Sequence, residues 1–111
     1  MTETVSRAGR LMTMTAHAGR GEELAALLLR VAEGLRGFPG CRTYVVAREA
    51  DAPDTVRVFE VWDDEASAQA ALRTEPTAEA PGPQDVLALL ATPPSRTDLA
   101  VLGGVGLPPS D

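Results

Sequence analysis

The sequence predicts an α+β fold in which helices cover one face of an antiparallel sheet. Three observations indicate it: apolar and polar residues alternate near the N-terminus, leucines then recur at helical spacing, and two β-rich segments are joined by a short polar turn. At 111 residues, the chain has the length of one domain, for which about 100–150 residues is typical.

The first two predicted elements are a strand and a helix. Residues 11–17 (LMTMTAH) alternate apolar and polar side chains, as a half-buried strand does. Residues 22–36 place an apolar set on one face, namely Leu24, Leu27, Leu28, Val31 and Leu35. Acidic residues lie in the first turn and Arg36 in the last, which suits the helix dipole. Gly37 and the turn at 38–40 (FPG) end this helix.

A hairpin follows. Residues 41–48 (CRTYVVAR) and 55–62 (TVRVFEVW) are rich in β-branched and aromatic side chains, which favour strands. The polar connection at 51–54 (DAPD) joins them as an antiparallel pair.

The second half of the chain is predicted to hold two helices and a last strand. Asp63 is expected to cap a helix over 65–73. The remaining elements are a proline-rich loop over 74–83, a short helix over 84–91, a strand over 97–102 and a glycine-rich extension.

This order of elements is that of the ferredoxin-like split βαββαβ fold. We expect residues 1–10 to be a flexible N-terminus, 11–107 to form the domain and 108–111 to be a tail. The segment 55–62 is apolar on both faces, and helices can cover only one of them. We therefore expect a homodimer formed by packing of sheet against sheet.

Composition excludes several classes of partner. The formal net charge is −6, whereas a nucleic-acid surface needs clustered basic side chains. No apolar run resembles a signal peptide or approaches the roughly 20 residues that cross a bilayer. The single cysteine, Cys41, rules out an internal disulfide and fits a reducing compartment. The expected location is the cytoplasm, with neither nucleic acid nor membrane as a partner.

The sequence predicts no metal and no cofactor. One histidine and one cysteine cannot form a typical zinc site, and no carboxylate spacing indicates a hard-cation site. The glycine-rich run at 103–106 follows the last strand with no helix after it, which excludes a nucleotide-binding fingerprint.

Four side chains are candidates for chemistry, each with a structural alternative. Trp62 could stack on a planar ligand and donate its N–H, or fill the core. Glu60 faces the same way two residues earlier, as a base or as the partner of an arginine. Tyr44 could orient a substrate hydroxyl or simply pack in its strand. His17 could act as a general base or lie in solvent beside a turn.

Arginines on the hairpin are further candidates. Arg42, Arg48 and Arg57 could bind an anionic carboxylate, or they could cover the sheet and pair with nearby acidic residues.

The hairpin carries a family resemblance. Residues 59–66 (FEVWDDEA) resemble the aromatic–Glu–X–Trp–acidic run of the antibiotic biosynthesis monooxygenase domain. Residues 38–44 (FPGCRTY) are similar to that family's helix-to-strand turn, and residues 21–24 (GEEL) to the entry of its first helix. Together with the element order, the resemblance covers roughly residues 11–107.

The resemblance implies a dimeric α+β barrel with a pocket between sheet and helices in each subunit. The family includes cofactor-free oxygenases of polyketide quinols and anthrones as well as haem-degrading enzymes, so the fold alone does not set the chemistry. Many members carry a His-Leu pair on the second helix, where Ala71 replaces the histidine here. The haem-degrading branch uses that histidine and an asparagine, and this chain has no asparagine, which argues against haem degradation.

The leading hypothesis is a cofactor-independent monooxygenase whose substrates are dioxygen and an aromatic, polyketide-like quinol or anthrone. Under this hypothesis Trp62 stacks on the ring or donates to it, Tyr44 positions a carbonyl, and His17 or Glu60 takes the proton. The alternatives are a cyclase or isomerase on the same fold and a non-catalytic dimer that binds aromatic ligands.

Overall fold

The structure is a computed structural model that describes residues 7–77 and 80–107. Within these residues four antiparallel strands carry three helices, which confirms the predicted α+β class and the ferredoxin-like fold. The elements are β1 (Arg7–Thr15), α1 (Gly21–Gly34), β2 (Cys41–Glu49), β3 (Ala52–Trp62), α2 (Glu65–Leu72), α3 (Pro83–Leu87) and β4 (Ser95–Val101). None of the helices in the described ranges is long and apolar enough to span a membrane.

The strands lie in the order β2-β3-β1-β4, and every neighbouring pair is antiparallel. Side chains of residues paired across strands point to the same face. The register sets Met12 beside Val58 and Val58 beside Val46, so apolar rows run across the side of the sheet that faces the helices.

Strand β1 starts at Arg7, earlier than the predicted start at Leu11. The reason is its position between two partners: Ala8 pairs with Trp62 on one side and with Ala100 on the other. Backbone hydrogen bonds to both neighbours hold this segment in the sheet without an apolar alternation of its own. Residues 1–6 and the predicted tail at 108–111 lie outside the described residues.

Helix α2 is capped by Asp64, not by the predicted Asp63. The backbone of Asp64 is extended, and its Oδ1 accepts hydrogen bonds from the backbone N and the Oγ of Ser67, each at 2.8 Å. The carboxylate of Asp63 instead pairs with Arg42 at 2.5 Å.

Helix α3 is shorter than the predicted helix over 84–91. It ends at Leu87 because the residues that follow pair with the end of β1. The Ala91 N–H donates to the Thr15 carbonyl at 2.9 Å, and Leu90 forms an isolated bridge with Ala16. Sheet pairing has replaced helical hydrogen bonds that the local sequence favoured.

The first turn of α1 is held by a carboxylate from the hairpin. Asp54 accepts hydrogen bonds from the backbone N–H groups of Gly19, at 3.0 Å, and Gly21, at 2.9 Å. These bonds hold the pKa of Asp54 below its ordinary value, because they favour the charged carboxylate. A Cβ at Gly21 would come within 2.0 Å of the Pro53 carbonyl oxygen, so only glycine permits this close approach. Asp54 was predicted as part of the hairpin turn; in the structure it lies within β3.

The core lies between α1 and the sheet. Leu24 and Leu28 of α1 pack against Met14, Val56 and Val58 of β1 and β3. The apolar face of the helix, predicted from the sequence, thus packs against the apolar face of the two central strands.

We expect alanine at Leu24, whose side chain is 0% exposed, to lower the free energy of unfolding by about 2–5 kcal/mol, since it removes buried methyl groups and leaves a cavity. Leu29, 55% exposed on the same helix, is the matched control, and Leu29→Ala should change stability by less than about 0.5 kcal/mol. Chemical denaturation measures both values. Similar losses in the two variants would contradict this placement of the core.

Candidate functional site

A cavity of about 310 Å³ lies between the sheet and the helices. Pockets for small molecules usually occupy about 300–1,000 Å³, so this one suits a compact ligand. Most of the lining is apolar and comes from β1, α1, α2 and the segment after α2, including Met12, Leu28, Val31, Ala71, Leu72 and Pro76.

Polar side chains form one row across the sheet side of the cavity. Tyr44 on β2 is the register partner of Glu60 on β3, and Glu60 is the partner of Arg10 on β1. Trp62 faces the same way two residues after Glu60. All four side chains line the cavity. The structure therefore brings together three of the predicted site residues, Trp62, Tyr44 and Glu60.

Trp62 is held by two neighbours. Its indole Nε1–H donates to Oε1 of Glu60 at 2.9 Å. The ring of Phe38 meets it edge to face, with centroids 6.1 Å apart and an interplanar angle of 84°. The indole N–H that was predicted to bind a substrate is therefore already bonded to Glu60. Trp62 lines the cavity and orients the Glu60 carboxylate.

Glu60 is a buried carboxylate of the cavity, and its environment makes it a stronger base than an ordinary glutamate. Burial raises the pKa of Glu60 above its ordinary value, because desolvation disfavours the charged form. The Trp62 hydrogen bond and the positive charges of Arg10 and Arg96 oppose this effect without cancelling it. A carboxylate with a raised pKa takes a proton from a weak acid more readily than an ordinary one.

Tyr44 remains a neutral phenol. Burial raises the pKa of its hydroxyl far above the ordinary value, and the negative charge of Glu60 adds to the effect. At neutral pH this side chain is therefore a hydrogen-bond donor at the cavity and not a base.

His17 does not share the cavity lining. Its side chain is exposed just beyond β1, where its backbone N–H donates to Leu89 O at 3.0 Å. The two predicted proton acceptors, His17 and Glu60, are therefore separated. Ala71, which stands where the resemblance expects a histidine, contributes only a methyl group to the wall. Glu60 is the predicted base that faces the cavity.

The arginines at the cavity are not those predicted to bind an anionic carboxylate. Arg42 pairs with Asp63, and Arg57 pairs with Glu49 at 3.3 Å. The cavity is lined instead by Arg10 and Arg96. Arg10 was assigned to the flexible N-terminus, although its period-two spacing with Met12 and Met14 could have placed it on the same face.

We expect Trp62→Phe to raise the pKa of Glu60 further, because phenylalanine cannot donate the hydrogen bond that favours the carboxylate. Titration of the ¹³C-labelled side-chain carboxyl by NMR measures this pKa directly. Phe59→Leu, on the opposite face of the same strand, should leave it unchanged. A lower pKa in Trp62→Phe would show that this bond does not favour the charged form.

Comparisons with known proteins identify the family and the fold. The family model for antibiotic biosynthesis monooxygenase matches residues 9–80. A putative antibiotic biosynthesis monooxygenase from Chloroflexus aurantiacus is 31% identical, with 93% of this chain and 100% of that one covered and a TM-score of 0.73. The comparison with curated proteins found no match.

More distant structures share the fold. A mutant of SnoaB from Streptomyces nogalater, described as a cofactor-independent oxygenase, is 19% identical with a TM-score of 0.73, covering 90% of this chain and 97% of its own. A Nitrosomonas europaea protein of unknown function, NE2512, is 21% identical with a TM-score of 0.74, covering 97% and 100%. From the family match and the Chloroflexus relative together, the chain belongs to the antibiotic biosynthesis monooxygenase family.

Proposed function

We propose that this chain is a cofactor-independent monooxygenase that oxidises an aromatic, polyketide-like quinol or anthrone. One observation carries the proposal: the largely apolar cavity holds a carboxylate of raised pKa, Glu60, beside a neutral phenol, Tyr44. An apolar wall suits a planar aromatic ring, and a single strong base suits removal of a proton from it.

In this proposal the substrate is the reductant. Removal of a proton from an anthrone leaves an electron-rich carbanion, which passes an electron to dioxygen. The methylene becomes a carbonyl that holds one oxygen atom of O₂, and the other oxygen atom leaves as water with the two hydrogens of the methylene. The family match and the fold shared with a cofactor-independent oxygenase support this chemistry.

The residues of the cavity have separate roles in this mechanism. Glu60 takes the proton, and Trp62 fixes its carboxylate through the indole N–H. Tyr44 donates a hydrogen bond to a substrate carbonyl, where negative charge develops. The apolar walls exclude water, which strengthens both interactions and protects the carbanion.

We further propose that the protein is a homodimer packed through the sheet face opposite the helices. On that face Val45, Phe59 and Leu11 are successive register partners on β2, β3 and β1. Val45 is 53% exposed and Leu99 39% exposed. Covering this row with the same row of a second copy removes apolar surface from water.

We expect the purified, metal-free protein to consume oxygen with a panel of anthrones and hydroquinones. The anthrone product should gain one oxygen atom and lose two hydrogens by mass spectrometry. Glu60→Gln keeps the shape of the side chain but cannot accept the proton, so kcat should fall by about 10²–10⁴-fold. His17→Gln, outside the cavity, is the control and should retain the rate of the unmodified protein.

Other outcomes assign other functions. A new product at unchanged oxidation level, without oxygen uptake, would indicate the cyclase or isomerase. Binding of the aromatic compounds with no product under air would indicate the ligand-binding module. Equal loss of activity in the Glu60 and His17 variants would overturn the role of Glu60.

For the dimer, we expect light scattering to give about twice the chain mass of 11.6 kDa. Val45→Glu should reduce the measured mass to that of one chain, because it would bury an unpaired charge in the interface. Leu29→Glu, at a similarly exposed position on α1, should remain dimeric. A monomeric unmodified protein would refute the proposed interface.

A further inference from the structure

Arg10 is a buried cation at the cavity. The residue is 4% exposed, it lines the cavity, and it is the register partner of Glu60. Its Nη2 donates to Glu65, and its Nε–H has no acceptor among residues 7–77 and 80–107. Buried donors in proteins are nearly always satisfied, so an orphaned one beside a cavity calls for an explanation.

The charge of Arg10 is only weakly balanced by the fold. The side chain of Glu65 is 56% exposed, so water screens its attraction to the guanidinium. The Glu65 oxygen that accepts from Arg10 also accepts from Gln69, at 3.2 Å. Burial of a charge lowers stability unless the charge is well paired. The described partner of Arg10 is Glu65, whose side chain lies largely in solvent.

Glu60 does not fill the gap. Its backbone pairs with that of Arg10, yet no ion pair of 4 Å or less joins the two side chains in the described residues. The Glu60 carboxylate accepts instead from Trp62, on its own strand. Glu60, a proton acceptor, and Arg10, a cation, thus lie on adjacent strands on the sheet side of the cavity, and their side chains are not bonded to each other.

We infer that Arg10 binds the oxyanion of a phenol or enol ligand whose hydroxyl proton is taken by Glu60. The O–H bond breaks, an O–H bond forms on the Glu60 carboxylate, and the electron pair stays on the ligand oxygen beside the guanidinium. Arginine remains charged throughout, so it stabilises the anion without exchanging a proton. The inference rests on the proposed function for the role of Glu60 as the base, because the enol form of an anthrone loses its O–H proton to give the same delocalised anion that the anthrone gives on loss of a methylene proton. It narrows the substrate class to aromatic rings with an ionisable phenol or enol hydroxyl.

Several other charged or titratable groups surround Arg10, and a preference of the cavity for a phenolate over a phenol depends on all of them. They come from the strands, from α2 and from the segment after it, and they are Tyr44, Glu60, Glu65, Glu75, Arg96 and Asp98. Arg96 is paired with Asp98 at 2.9 Å, and its side chain is 42% exposed. Arg10 is the more buried of the two cations and the less completely paired.

The test uses alizarin, a hydroxyanthraquinone whose colour reports whether its phenol is ionised, and its fully O-methylated analogue, which cannot ionise. The unmodified protein should lower the pH at which bound alizarin ionises and should bind it more tightly than the analogue. Arg10→Gln should weaken binding of the phenolate by about 10- to 100-fold and leave the analogue unaffected. Arg10→Lys should recover part of the loss.

A second variant separates binding from structural support. If the only role of Arg10 is to hold α2 against the sheet through its ion pair with Glu65, Glu65→Gln removes the same ion pair. It should then weaken the binding of alizarin as much as Arg10→Gln does. If Arg10 holds the oxyanion, Glu65→Gln removes a competing acceptor and should keep or tighten phenolate binding. Arg36→Gln, at an exposed ion pair of α1, controls for loss of a positive charge, and circular dichroism checks that each variant is folded.

Three results would overturn the inference. They are equal affinity of the unmodified protein for alizarin and its methylated analogue, parallel losses in Arg10→Gln and Glu65→Gln, or a loss in Arg96→Gln as large as that in Arg10→Gln. None of these measurements involves turnover. Phenolate selectivity without oxygen uptake would therefore retain the role of Arg10 and reject the oxygenase, and oxygen uptake without selectivity would do the reverse.

Discussion

The pairing of β1 with β3 is the constraint on which the candidate site depends. The same register that sets Met12 beside Val58 also sets Arg10 beside Glu60. A slip of one residue would turn every one of these side chains to the other face, so burial of the apolar row under α1 also fixes the polar row. That polar row costs stability, because a guanidinium and a carboxylate lose hydration there and receive few partners. Such a conflict within an apolar wall is typical of a site kept for a ligand.

Much of the fold is readable from local patterns. Helix α1 appears where side-chain periodicity predicts it, because a face that must be buried leaves its period in the sequence. Strands β2 and β3 appear where β-branched and aromatic side chains predict them. The failures occur where backbone pairing with a distant segment overrides local preference. Arg7 begins a strand because two neighbours pair with this stretch, and the helix predicted over 84–91 ends early because Ala91 bonds to Thr15. The residues next to Arg7 and Ala91 in the sequence do not reveal which distant segments will pair with them.

The candidate site was predictable to the extent that it follows strand alternation. Glu60 and Trp62 are two residues apart on one strand, so their shared face is evident from the sequence. Their hydrogen bond is not, since either side chain could have turned to another partner. His17 was a candidate because of its imidazole alone, and its position outside the cavity depends on where β1 ends. The burial of Arg10 is not predictable from local pattern, because a charged residue next to a polar terminus is normally exposed.

The way in which α1 begins also bears on the order of events during folding. The residue that precedes it, Arg20, makes no side-chain cap, and the N–H groups of Gly19 and Gly21 depend on Asp54, more than thirty residues later in the chain. With 14 residues, α1 lies in the range where an isolated helix is marginal in water. We therefore expect its first turn to stay frayed during synthesis until β3 has emerged and docked. Helix and hairpin then form together, and a chain truncated before Asp54 lacks a defined start to its longest helix.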